Sequence, residues 1–215
     1  DIMKRFLSIA AFAFVLLALT GCNEGTRKKA LLPTISGKAG EVIIVVSKGE
    51  WEGCVGIELR DLLASDCPFL PQKEPLYTLV NITPSTFTNI FQIHRNILIV
   101  NISSDVTEPG IVYRTDVWAQ PQCVMSVNAP DGESAAGIIR ENRDRILHTL
   151  EQAERDRIIN NAKKFEEHSL APEVTALVEG SPHFPSGYSL KKRAQNFIWI
   201  SYETTYINQG IFIYR

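Results

Sequence analysis

Two uninterrupted apolar runs, Val42–Val46 in EVIIVV and Ile97–Val100 in NILIV, constrain the fold more than any other feature of this 215-residue chain. Side chains along a strand alternate between its two faces, so a strand without polar positions has no face to give to water. The first run, set between Gly40 and Gly49, reads as a buried strand, and the second implies cover on both faces.

The residues after the first run change period. Trp51, Val55, Leu59, Leu62 and Leu63 recur at helical spacing with Glu58, Arg60 and Asp61 outward, and Asp66 and Pro68 stop the pattern. LPQKEP at 70–75 reads as a loop and LYTLVNI as a second strand that ends at Pro84, ahead of the strand in RNILIVNIS. PQCVMSVN at 121–128 reads as a further strand, and Asp131 or Ser134 is placed to cap the next element. From Ala135 to about Phe165 the spacing predicts one long charged helix or two in series, with Ile138, Ile139, Ile146, Leu147, Leu150 and Ile158 as its apolar stripe. EVTALVEG at 173–180 reads as a strand, and AQNFIWISYET and GIFIYR as two more.

An internal repeat joins these elements. LVNITPSTFTNIFQIHRNILIV from Leu79 and LVEGSPHFPSGYSLKKRAQNFIWI from Leu177 share Leu-Val, a proline five residues on, aromatics, a basic residue, Asn and an apolar strand. The expected fold is therefore α+β: two strand-helix-strand-strand, ferredoxin-like repeats with mainly antiparallel sheets, over 38–118 and 119–215. The chain stops inside the apparent strand IFIYR, so a continuation beyond Arg215 is expected.

Location is the most legible functional property. Met3, Lys4 and Arg5 precede an apolar stretch from Phe6 to Leu19, and Thr20, Gly21 and Cys22 close it, which is the layout of a secretory signal. The stretch is shorter than the roughly 20 residues a spanning helix needs. Leu-Thr-Gly-Cys resembles the bacterial lipobox, which implies a signal peptide over 1–21, acylation of Cys22 and a lipidated tether over 22–37. The alternatives are an ordinary signal peptide and a buried amphipathic segment. Asn23 is not the aspartate of an inner-membrane retention signal, so the expected location is the outer membrane, lipid-anchored, with the periplasmic face favoured.

Removal of residues 1–21 leaves 20 basic against 23 acidic residues. Nucleic-acid binding needs a basic stripe or patch, and the only cluster near one end, Arg27, Lys28 and Lys29, lies in the tether, so no nucleic-acid partner is expected. Cys54, Cys67 and Cys123 remain once Cys22 is committed to lipid. A helix between Cys54 and Cys67 sets them roughly 18 Å apart, too far for a disulfide. Cys67 with Cys123 stays open, beside buried free thiols.

Candidate chemistry is sparse. His94 and Arg95 in IHRN are the weak ligand candidates, as a base or an anion contact, against a reading in which His94 fixes a turn at a strand edge. Glu50, Trp51 and Glu52 suit either a sugar site with paired carboxylates or an acidic helix start. His148, His168 and His183 lack metal-ligand spacing, and no nucleophile elbow, phosphate loop or dinucleotide glycine pattern occurs, so no metal, cofactor or catalytic residue is assigned.

LPTISGKAGEVIIVV, KGEWEG, LPQKEP, FQIHRNILIVNI and AQNFIWI together resemble a family of Bacteroidota lipoproteins known only as domain of unknown function 4837, over residues 31–215. The resemblance implies a longer outer-membrane lipoprotein and carries no catalytic residues. Two functions are expected from these observations. One is a noncatalytic module held to the membrane by its lipid that binds an envelope protein or a polysaccharide, for which Trp118, Trp199 and Tyr202 would form an apolar groove. The alternative is an envelope hydrolase whose site is completed beyond Arg215.

Overall fold

A computed structural model describes residues 31–215. Cys22, the signal segment and the basic triplet at 27–29 lie outside those residues. The first part is a mixed five-stranded sheet of β1 (Glu41–Val45), β2 (Thr78–Ile82), β3 (Asn96–Ile102), β4 (Gly110–Thr115) and β5 (Cys123–Ala129), in the order β2-β1-β3-β5-β4. β2, β1, β3 and β5 run parallel, and only the β4–β5 pairing is antiparallel. The helices are α1 (Lys48–Glu52), α2 (Cys54–Leu63), α3 (Asn89–Gln92), α4 (Gly132–Glu141), α5 (Arg143–Lys164) and α6 (Leu170–Val178). α6 covers a separate antiparallel sheet of β6 (Ser189–Ala194), β7 (Phe197–Glu203) and β8 (Asn208–Tyr214), in that order.

The apolar strands are buried on both faces. Val42, Ile44, Leu98, Val100, Met125 and Val127 pack under α2, α4 and α5, against Leu59, Leu62, Ile139, Ile146 and Leu150. Ile43, Val45, Ile97 and Val124 face the other way, where the β2–β3 connection and the loop after β4 supply Phe87, Phe91 and Trp118. Helix boundaries follow local chemistry: the Asp131 carboxylate accepts the Ser134 amide at 2.8 Å and starts α4, while Gly53 separates α1 from α2.

The fold is mixed α and β, with several differences from expectation. Mainly antiparallel pairing holds for the C-terminal sheet and not for the first, because α2 and the β2–β3 connection act as crossovers that return the chain parallel to itself. The boundary between 118 and 119 falls inside one sheet, since β5 pairs with both β3 and β4. The aligned repeat segments differ at their start, for Leu79 and Val80 lie in β2 whereas Leu177 and Val178 end α6. EVTALVEG is therefore helical: Leu170, Val174 and Leu177 follow one another at helical spacing onto the sheet, and Pro172 sits in the first turn, where its missing N–H costs nothing. The expected tether over 22–37 also ends early. Pro33 accepts the Gln120 amide at 2.9 Å, and Ser36 exchanges backbone bonds with Ile93 and Arg95 at 2.8 and 3.1 Å. Ile158 leaves the stripe at 68 % exposed. Cys54, Cys67 and Cys123 are all free thiols, so Cys67 and Cys123 do not pair.

Candidate functional site

His94 and Arg95 stand where the chain enters β3, at the edge from which the parallel strands start, and both are built into a polar network. His94 is buried, with Nδ1 3.1 Å from the Asn96 carbonyl oxygen and Nε2 3.5 Å from the Glu41 carboxylate. Gly37, at φ +88°, makes room for the ring: a Cβ there would lie 2.1 Å from His94 Nε2. The Lys38 amide donates to Glu41 and, with His94 nearby, holds its carboxyl below the usual carboxylate range. Arg95 turns to Glu154 of α5 at 2.9 Å. The two candidates are adjacent in sequence but serve different partners, so they form no joint base-and-anion site.

The centre of this network is a residue that the sequence pattern places on a solvated helix face. Arg157, with only 7 % of its side chain exposed, donates from Nε to Pro121 O at 3.1 Å, from Nη1 to Asn96 Oδ1 at 3.0 Å and from Nη2 to Arg95 O at 2.8 Å, and it pairs with Glu154 at 3.0 Å. Burial and the neighbouring Arg95 charge press its ionisation below that of an ordinary arginine, while Glu154 opposes them. Gln122, which comes just after the cis Gln120–Pro121 bond, donates to Gln92 O and His94 O and accepts from the Trp118 and Ala119 amides. The signal for Arg157 was available, since Ile146, Leu150, Ala153 and Arg157 advance by four, three and four along one face of α5.

The remaining sequence candidates disperse. Glu50 lies against Gly132 at the start of α4, where a Cβ would come within 2.3 Å of its carboxylate, and Glu52 pairs with Lys48 at the surface. Trp51 lies beneath the Arg60 guanidinium, 4.7 Å from the ring centroid. His168 and His183 both approach Glu166, at 3.7 and 2.8 Å, and among the described residues no group of His, Cys, Asp and Glu could hold a metal ion. Trp118 sits edge-on to Phe87 in the first part of the structure, whereas Trp199 and Tyr202 project to opposite faces of β7, so the three form no common groove.

What sequence reading missed is the open face of the C-terminal sheet. β7 and β8 direct Ile198, Ile200, Ile211 and Ile213 toward α6. Strand alternation then puts Phe197, Trp199, Phe212 and Tyr214 on the opposite face, with Lys192 of β6 beside Trp199. Phe212 stacks on Phe197 and on Trp199, with centroids 5.9 and 5.8 Å apart, and Phe212 and Tyr214 are 58 % and 76 % exposed. Phe197 and Trp199 are half-buried beside them. The signal was two neighbouring apolar runs, FIWI at 197–200 and IFIY at 211–214, with only one helix at hand to cover them.

A parallel sheet closed by an antiparallel edge, then a helix-backed three-stranded sheet with an aromatic face, defines a mixed α and β protein. A family model described as a domain of unknown function, DUF8532, matches residues 35–163, and the chain belongs to that family. The match spans the first sheet and α1 to nearly the end of α5, and it names a different family from domain of unknown function 4837. No curated protein and no solved structure matches the chain.

Proposed function

We propose that this protein is a noncatalytic binding module of the cell envelope, held to the outer membrane by acylated Cys22, and that the aromatic face of β6–β8 engages a protein partner. The observation that carries this reading is the row Phe197, Trp199, Phe212 and Tyr214 on a sheet whose other face is already covered by α6. Exposed contiguous apolar patches mark interaction sites, and Trp, Tyr and Phe are enriched at protein interfaces. Between a protein and a polysaccharide, ring orientation favours the protein. Sugar stacking uses open ring faces, and Phe212 is stacked against both Phe197 and Trp199. The hydrolase alternative loses its candidate base, because the His94 ring is buried between the Asn96 carbonyl and the Glu41 carboxylate.

The test replaces Phe212 with a photo-crosslinking benzoylphenylalanine in the full-length protein in cells, with the same replacement at exposed Ile57 of α2 as the control position. A discrete adduct from position 212, absent from position 57 and abolished by Trp199→Ser, supports the reading. Adducts that are absent, or identical from both positions, defeat it.

A further inference from the structure

The polar network forms one wall of an open cleft of about 610 Å³, lined elsewhere by Thr34 and Ile35, the C-terminal half of α5 and Pro185. That volume suits a small organic molecule. Three cations line it, Arg95, Arg157 and Lys164, and no carboxylate does. The single carboxylate behind them, Glu154, is shared by Arg95 and Arg157. Lys164 has no acidic partner among the described residues and rests 5.1 Å from the Phe165 ring centroid. The positive charge around the cavity thus exceeds the negative charge that the described residues supply. Arg95 Nε, buried without a hydrogen-bond partner, shows the same shortage of acceptors. Ile35, Pro121, Ile158 and Pro185 give the walls an apolar character, and Asn160 and Asn161 add amides able to donate or accept.

We propose that this cavity binds a small organic anion, with its phosphate or carboxylate head at Arg95 and Lys164 and its apolar body along Ile35 and Ile158. The head supplies an acceptor for Lys164 and adds negative charge beside two guanidinium groups that share a single carboxylate. Charge-assisted contacts of this kind are the stronger class of hydrogen bond, and a partly enclosed cavity weakens solvent screening of them. An ammonium compound of equal apolar bulk is repelled by the same three cations. This inference is independent of the aromatic face, which lies on another sheet.

The experiment is calorimetric titration of the protein with n-octyl phosphate below its micelle concentration, with octanoate to separate phosphate from carboxylate recognition and octyltrimethylammonium as the cationic control. At least one anion is expected to bind with defined stoichiometry and the cation not to bind. Lys164→Glu and Ile158→Asp, both on the accessible side of α5, should each weaken binding about tenfold or more without moving the urea midpoint, as loss of one charge-assisted contact implies. Phe212→Ser should leave binding unchanged. The proposal is overturned if neither anion binds, if the cation binds equally well, if both α5 variants bind normally, or if Phe212→Ser removes binding and so moves the ligand to the aromatic face.

Discussion

Arg157 concentrates on one side chain what a hydrophobic core spreads over many. Its guanidinium bridges the Pro121 and Arg95 carbonyls, the Asn96 amide and the Glu154 carboxylate, so the start of β3, the approach to β5 and helix α5 are fixed relative to one another by a single planar group. Arginine suits this position because its donors leave in one plane in several directions, which the compact lysine ammonium cannot reproduce. Removing it strands acceptors away from water and leaves Arg95 alone on Glu154. Arg157→Met is expected to cost about 3–5 kcal/mol of unfolding free energy, the range for breaking a buried charged pair. Arg157→Lys should recover only part of that loss. Urea unfolding followed by far-ultraviolet circular dichroism measures both, and a Met variant as stable as the parent would show that the network is ornamental.

At the scale of elements, the elbow between α1 and α2 is the most tightly specified joint. Gly56 in the first turn of α2 passes so close to α1 that a Cβ would lie 1.8 Å from the Trp51 carbonyl oxygen, which also accepts from Arg60 at 2.9 Å. Alanine is the better helix former by roughly 1 kcal/mol, yet the clash is with backbone and has no flexible end to move aside. Gly56→Ala is therefore expected to destabilise by on the order of 2 kcal/mol, as overpacking does, whereas Gly137→Ala in α4, with open space around it, should stabilise by up to about 1 kcal/mol. Thermal unfolding of the two variants side by side checks the opposite signs. Sequence reading located β1, β2, β3, β5, β7 and β8 because their residues carry the signal themselves: uniform apolarity, or apolar runs between turn residues. It missed β6, whose SLKKRA is exposed throughout, and β4, whose Ile111, Val112 and Tyr113 form an apolar run of only three residues. It read α6 as a strand because nine residues hold little more than two turns of periodicity. Pairing direction was not legible at all, since a parallel neighbour and an antiparallel one bury the same side chains. Of the candidate site, His94 and Arg95 were found as residues but not as a network, because Glu154 and Arg157 join them from about sixty residues away and are visible only once α5 is laid across the sheet edge.

At the scale of the whole molecule, the proposed anchor and the proposed contact face belong to different stretches of chain. The family match covers the first sheet and most of its helical cover, residues 35–163, while the aromatic row lies beyond it in β7 and β8. No helix of the described residues is long and apolar enough to cross a membrane, and the proposed attachment rests on LTGC at 19–22 in the sequence. The chemistry is specific to one atom: only the Cys22 thiol can form the thioether, and each methylene buried in the bilayer adds roughly 0.8 kcal/mol, so several acyl chains hold where one is marginal. The decisive comparison is full-length protein with and without Cys22→Ala, made in a host with intact lipoprotein enzymes. The parent is expected to show a mass increase equal to a diacylglyceryl group plus an amide-linked acyl chain, loss of residues 1–21, and recovery with the outer membrane. The variant should lack all three. Equal masses and equal solubility would remove the lipid anchor and leave the aromatic face as a contact surface without an assigned compartment. A lipid-dependent mass with recovery in the inner membrane would keep the anchor and overturn the sorting argument drawn from Asn23.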